Sequence, residues 1–256
     1  MELAALAPVP VRSGPEPGSE LVTELVTGET LVPLQTLEEC GGWPGVVVPG
    51  HPSSLDERGY PGLVPPDAAL VSADGWSPDL TVSRPNRAGL PLGTLLQTKA
   101  GETMLPDGGK VELDPDDALP VGASADTTAD SARQHSAIGL ARAMIGLPYR
   151  WGGTDSTAGM DCSGLVFRIM RALGVTVPRD SGDQFYRAPF NRGKSQAGWE
   201  TARPGDLVFF GERAVTHVGF YLGGGEYISA HGGRQTGCVT VRAMTDDPYQ
   251  GFARYQ

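Results

Sequence analysis

Residues 159–165 read GMDCSGL, setting Cys162 between Asp161 and Ser163 in a chain that holds three cysteines. A cysteine thiolate attacks carbonyl carbon, and at the first turn of a helix the free backbone N–H groups and the positive end of the dipole favour that thiolate. Position alone leaves Cys162 either a nucleophile or core filler, because free cysteine is also among the most buried residue types. The segment THVGFYLGGGEYISAHGG supplies His217 and His231, two of the four histidines. Thiol-based acyl transfer needs a cysteine on a helix, a histidine brought across from a sheet and a third polar group to orient the imidazole. The chain order Cys162, His217, His231 suits that chemistry. Tyr149 and Trp151 in YRWGG, just upstream of the cysteine, are either packing aromatics or neighbours of the thiol. Asp161 is placed to cap the helix that Cys162 would open.

Elements to hold these residues can be read from periodicity. Leu165, Val166, Ile169 and Leu173 fall on one helical stripe, which predicts a helix from about Cys162 to Leu173, ended by Gly174. Upstream, Ala137, Leu140, Ala141 and Met144 predict another helix, capped by Asp130 or Ser131 and stopped by Gly146 and Pro148. Downstream, GDLVFFG, THVGFYLGG, EYISAHG and CVTVR read as strands joined at glycine turns. The C-terminal part is therefore α+β, helices first and an antiparallel sheet after. Cys238 falls in the last of these strands as core, and Cys40 falls in a loop.

The N-terminal half obeys different rules. Residues 1–123 carry 17 of the 22 prolines, and interior proline breaks helices by removing a hydrogen bond and crowding the preceding turn. Short β-rich runs remain: ELVTELV, TLVPLQTL and WPGVVVPG, then LVSADG, LGTLLQTKAGE, TMLPDGGKVEL and ALPVG, with DGG as a hairpin turn. They predict two small β-barrels with a break near Pro65 to Asp67. The predicted domains are 1–66, 67–123 and 124–256, the last entered through the polar linker GASADTTADSARQ.

Charge divides the same way. Residues 1–123 hold 6 Lys/Arg against 18 Asp/Glu, and residues 124–256 hold 14 against 12, within a net charge of −10. Without a basic cluster the chain has no means of holding a polyphosphate backbone, so nucleic acid is not an expected partner. No window approaches the roughly 20 apolar residues of a membrane span, and MELAALAPVPVRSGPEPG has neither a basic start nor a long apolar core. A cytoplasmic protein without a membrane partner is the expectation. The cysteines are widely spaced with no CxxC pair, so neither a disulfide framework nor a metal or other cofactor is predicted.

The blocks YRWGG, GMDCSGLVF, PGDLVFF and THVGFYLGGGEYISA, in this order across residues 145–235, resemble the signature blocks of the NlpC/P60 family of cell-wall cysteine peptidases. The upstream β units, through SELVTELVTGE, GGWPGV and ERGYPGLVP, are similar to bacterial SH3 domains. That domain order resembles the γ-D-glutamyl-L-diamino acid endopeptidases.

The resemblance implies a papain-like α+β domain preceded by two SH3-like barrels. It implies Cys162 as nucleophile and His217 as general base. Tyr149 would help hold the oxyanion, with Asp161 and Ser163 lining the subsite for the substrate's N-terminal residue. It also implies Tyr60, in GYPG, with Glu20 or Glu24, as contacts for a free α-amine. The family's third residue aligns with Ser229, whereas His231 lies two residues on and on the same strand face, so His231 is the expected orienting residue with Ser229 the alternative. The implied reaction is hydrolysis of the γ-D-glutamyl–diamino acid bond of murein peptides, L-Ala-γ-D-Glu-diamino acid, in peptide recycling. The alternatives are a hydrolase that remodels intact peptidoglycan and a catalytically weak wall-binding protein. A permuted thiol acyltransferase would carry its histidine before its cysteine, contrary to the order here.

Overall fold

The computed structural model of the chain describes residues 1–34, 41–121, 130–187, 198–232 and 237–255, so that Cys40 and the linker at 122–129 lie outside the described residues. The chain divides into two compact units, Met1–Gly122 with Trp151–Thr157, and Ala123–Arg150 with Ala158–Gln256.

The first unit is built of short antiparallel strands, as its prolines dictate. Strands β1 (Leu3–Ala5), β2 (Val9–Arg12), β3 (Leu21–Leu25), β4 (Thr30–Pro33), β5 (Gly45–Val48), β6 (Tyr60–Leu63) and β7 (Leu70–Ser72) form one sheet in the order β3-β2-β6-β5-β4-β1-β7. Its core gathers the inward residues Ala5, Val9, Val11, Leu25, Leu31, Val46, Val48, Tyr60 and Val64. Strands β8 (Leu80–Val82), β9 (Leu95–Lys99), β10 (Glu102–Met104) and β11 (Ala118–Pro120) form a second sheet, ordered β10-β9-β8-β11. The DGG turn closes as a tight loop, with Leu105 N–H donating to the Gly109 carbonyl at 2.7 Å. What is seen where two barrels are predicted is thus one open seven-stranded sheet and one four-stranded sheet. Strand β7 follows the predicted break at 65–67 yet pairs with β1, because Leu70 packs on the core of the first sheet. The short strand β12 (Thr154–Asp155) also belongs to this unit: the Thr154 hydroxyl donates to the Glu24 carbonyl at 2.6 Å.

The second unit carries α1 (Asp130–Ala143), the short β13 (Gly159–Met160), α2 (Cys162–Ala172) and α3 (Ser181–Tyr186). An antiparallel sheet follows, with β14 (Leu207–Phe210), β15 (His217–Gly223), β16 (Glu226–His231), β17 (Cys238–Ala243) and β18 (Tyr249–Ala253) in the order β17-β16-β15-β14-β18. Ala137, Ala141 and Met144 bury one face of the first helical segment. Helix α2 differs from the one-sided stripe of the sequence reading, since every residue from Cys162 to Met170 is buried, even Arg168. A helix enclosed on all sides is a central helix, and polar residues enter such a position only with their hydrogen bonds met.

Helix α3 and strand β18 have no counterpart in the sequence reading. Both are short and weakly patterned, and tertiary contacts sustain them: the Phe185 ring lies 4.9 Å from that of Phe209, and β18 pairs along β14. Among the described residues, no helix is long and apolar enough to cross a membrane.

Candidate active site

Cys162 is the first residue of α2 and is 7% exposed. The helix starts there because Asp161 caps it: its backbone is extended (φ −84°, ψ 178°), and its carboxylate accepts the Gly164 N–H at 2.6 Å. The same carboxylate is gripped by Arg179, a residue 1% exposed from the segment before α3, at 2.7 Å to Oδ2 and 3.1 Å to Oδ1. Arg179 also donates to the Ser163 hydroxyl at 2.9 Å, and that hydroxyl donates on to Asp161 at 3.1 Å. Both chain neighbours of the cysteine are thereby tied into one closed ring of hydrogen bonds.

Helix α2 packs against β15, which His217 opens and Val218 follows, and the backbone N–H groups of Val218 and Ser163 favour the charged form of the Cys162 sulfur. Burial first, and then the Asp161 charge, push the Cys162 thiol up to about 12, while the two backbone N–H groups and Arg179 pull the other way. The helix terminus alone, which favours a thiolate, is outweighed by desolvation. The resting group is the neutral thiol.

His217 and His231 are cross-strand neighbours on one face of the sheet, with ring centroids 4.6 Å apart and planes tilted by 43°. Burial lowers the pKa of His217 to about 3, with the His231 ring second, and burial lowers that of His231 to about 4. Both imidazoles are neutral at physiological pH, and a neutral imidazole is the form able to accept a proton. The Nε2 atoms of both are buried without a hydrogen-bond partner among the described residues. Ser229 is committed elsewhere, donating to the Val218 carbonyl at 2.5 Å. Of the two candidates for the third residue, His231 is the one the structure places against His217. Gly219 makes room for this arrangement, since a Cβ there would come within 2.7 Å of the Ile228 carbonyl oxygen and of the Tyr227 ring.

Tyr149 approaches from the segment before β13. Its phenol is pushed well above the usual range by burial and then by the nearby Cys162 and Asp161 charges, so it stays a protonated donor. Gly232 lies against this ring, where a Cβ would sit 2.9 Å from Cε1. In the first unit, Tyr60 is 6% exposed and belongs to the sheet core. Glu20 accepts the indole N–H of the exposed Trp151 at 2.8 Å, and Glu24 is buried with its backbone carbonyl bound by Thr154. Among the described residues, no three metal-ligating side chains converge.

Comparison with known proteins bears on this geometry. The profile of the NlpC/P60 family matches residues 146–253. A γ-D-glutamyl-L-lysine dipeptidyl-peptidase of Bacillus subtilis (strain 168) is 31% identical over 254 residues, spanning 89% of this chain and 77% of the relative. The chain belongs to the NlpC/P60 family. A protein of the same name from Bacillus cereus (strain ATCC 10987 / NRS 248) is 29% identical over 93% of this chain and 76% of its own length. The crystal structure of an NlpC/P60 family protein from Bacillus cereus ATCC 10987 shares the fold, with a TM-score of 0.79 at 23% identity over 100% of this chain and 99% of that one.

As an NlpC/P60 cysteine peptidase, the chain has residues around its thiol that sequence reasoning passed over. Arg179 is foremost. A lone arginine in VTVPRDS carries no periodic signal, and only the fold brings it back to Asp161, 18 residues earlier. Tyr227 and Asp247 are the others: the Tyr227 hydroxyl donates to Asp247 at 2.5 Å, and its ring meets His217 and His231 edge-on at 6.1 and 5.6 Å between centroids. The signal that was available is the strand alternation Tyr227, Ser229, His231, which puts all three on one face.

Proposed function

We propose that this peptidase hydrolyses the γ-D-glutamyl–diamino acid bond of peptidoglycan stem peptides that carry a free N-terminal L-Ala, as a step in murein peptide recycling. The observation that carries the reading is the Cys162 thiol at the start of α2, held against Val218 beside the neutral His217–His231 pair. The two Bacillus relatives, both γ-D-glutamyl-L-lysine dipeptidyl-peptidases, support the substrate class. Intact peptidoglycan is the competing substrate, and a free-amine requirement is what separates the two. The proposed place of action is the cytoplasm, where released peptides would be met.

In the proposed mechanism His217 takes the thiol proton as Cys162 sulfur attacks the γ-carbonyl of D-Glu. The oxygen of the tetrahedral adduct is met by the Tyr149 hydroxyl and the Cys162 backbone N–H. His217 returns the proton to the leaving amine of the diamino acid, and a thioester of L-Ala-γ-D-Glu remains. Water, deprotonated by His217, then releases the dipeptide and restores the thiol. His231 holds the His217 ring. Asp161 and Ser163 receive the N-terminal residue, and Tyr60, with Glu20 or Glu24, is proposed for the amine on the family resemblance. SH3-like character of the two N-terminal sheets belongs to the same proposal.

The test is cleavage of L-Ala-γ-D-Glu-diaminopimelate, free and N-acetylated, with Cys162→Ala as control. Release of L-Ala-D-Glu from the free peptide alone, lost in the variant, is the expected result. Equal cleavage of both would shift the reading to wall remodelling, and no cleavage of either would leave the binding protein.

A further inference from the structure

Thiol chemistry at Cys162 has to form a negative sulfur directly beside a buried carboxylate. Asp161 precedes the cysteine in the chain and caps its helix, so it cannot be moved away without losing the helix start. Like charges this close oppose one another strongly where water is excluded. Arg179 faces them both, with two hydrogen bonds to Asp161 and one to Ser163. We propose that Arg179 is a positioning residue for the nucleophile, locking the residues on either side of Cys162 in place and cancelling the Asp161 charge where the thiolate must form. The assignment rests on reading Cys162 as the nucleophile.

Two features of the geometry support it, and the electrostatics agree. The guanidinium is forked onto the carboxylate, the arrangement in which arginine holds direction as well as charge and lysine does not. The three bonds close a ring, Arg179 to Asp161, Arg179 to Ser163 and Ser163 to Asp161, so loss of the cation removes a partner from both flanks at once. The charge bookkeeping agrees in sign: Asp161 pushes the thiol up and Arg179 pushes it down. Tyr149, which feels the Cys162 charge, stays neutral through the working range, and His217 at the head of β15 is neutral at rest. Neither can take over the compensation of Asp161 before the reaction starts.

The test reads the thiol directly, without substrate, as the pH dependence of Cys162 alkylation by iodoacetamide followed by mass spectrometry, with Cys238 as internal reference. Arg179→Met is expected to shift the Cys162 profile upward by about one pH unit, slowing alkylation about tenfold at fixed pH. Arg179→Lys should fall between it and the parent. Adding Asp161→Asn to Arg179→Met should return the profile toward the parent, since the opposing charge is then gone and asparagine still caps. Asp161→Asn alone should speed alkylation, and this variant carries the test if Arg179→Met does not fold. An unchanged profile in folded Arg179→Met, a double variant as slow as the single one, or slower alkylation in Asp161→Asn would each overturn the proposal. A purely structural arginine would lower the melting temperature and leave the alkylation profile where it was. If the parent fails to cleave the peptide while the profiles move as stated, the proposed substrate is wrong and the role of Arg179 stands.

Discussion

Each of the two units buries a histidine cluster, and the two clusters are finished differently. In the first unit His51 is fully buried between Thr23, whose hydroxyl lies 2.8 Å from Nδ1, and Glu29, whose carboxylate lies 3.2 Å from Nε2. Glu29 in turn accepts the Val26 N–H at 2.8 Å. Both ring nitrogens are satisfied, which is the ordinary condition of a buried polar group. In the second unit the rings of His217 and His231 approach to 4.6 Å between centroids, tilted by 43°, and the Nε2 of each is buried without a partner among the described residues. Leaving such an atom unpaired costs stability, and a site that must accept a proton is where that cost has a use. The contrast separates a histidine whose hydrogen bonds are met from a pair left open, and the proposed chemistry would use the open pair.

The sharpest way to break the comparison is to remove the open cluster. Cys162→Ala or His217→Ala is expected to lower kcat by at least about 10³-fold. The melting temperature should change little, and a loss of fold in either variant would place these residues with His51 as structural. His231→Ala should cost less, about 10²-fold in kcat, because its proposed part is only to hold another ring. Steady-state hydrolysis of the stem peptide measures both.

Removing the satisfied cluster should do the reverse. His51→Ala strips a buried carboxylate of a partner, and a loss of about 3 kcal/mol is expected in chemical denaturation. Unchanged stability would mean that the Thr23–His51–Glu29 set does not tie its sheet together.

The open cluster also predicts how pH acts. Histidines whose folded pKa values, about 3 and about 4, lie below the unfolded value near 6.5 bind fewer protons folded than unfolded in acid. Their contribution to stability is complete above pH 6.5 and is lost as pH falls from there toward 3, so acid unfolding should begin in that window. His217→Ala should flatten the curve between these limits. The smallest effect is expected of Ser229→Ala, which loses one hydrogen bond to Val218, about 1 kcal/mol, and leaves the His217–His231 contact in place.

How much of this was legible beforehand depends on whether the cause was local. The helix start at Cys162 follows from Asp161, the apolar spacing behind it and Gly174 at its end, all within one short stretch. The strands bearing His217 and His231 follow from alternation and glycine turns, and proline density argued against long helices in the first 123 residues. These are properties of neighbours in sequence, so the sequence by itself determined them. The partition of strands between the two N-terminal sheets, the approach of the His231 ring to His217, the return of Arg179 to Asp161 and the upward push of burial on the Cys162 thiol belong to the tertiary structure. Each depends on register or on desolvation, and both arise only when distant segments meet and exclude water.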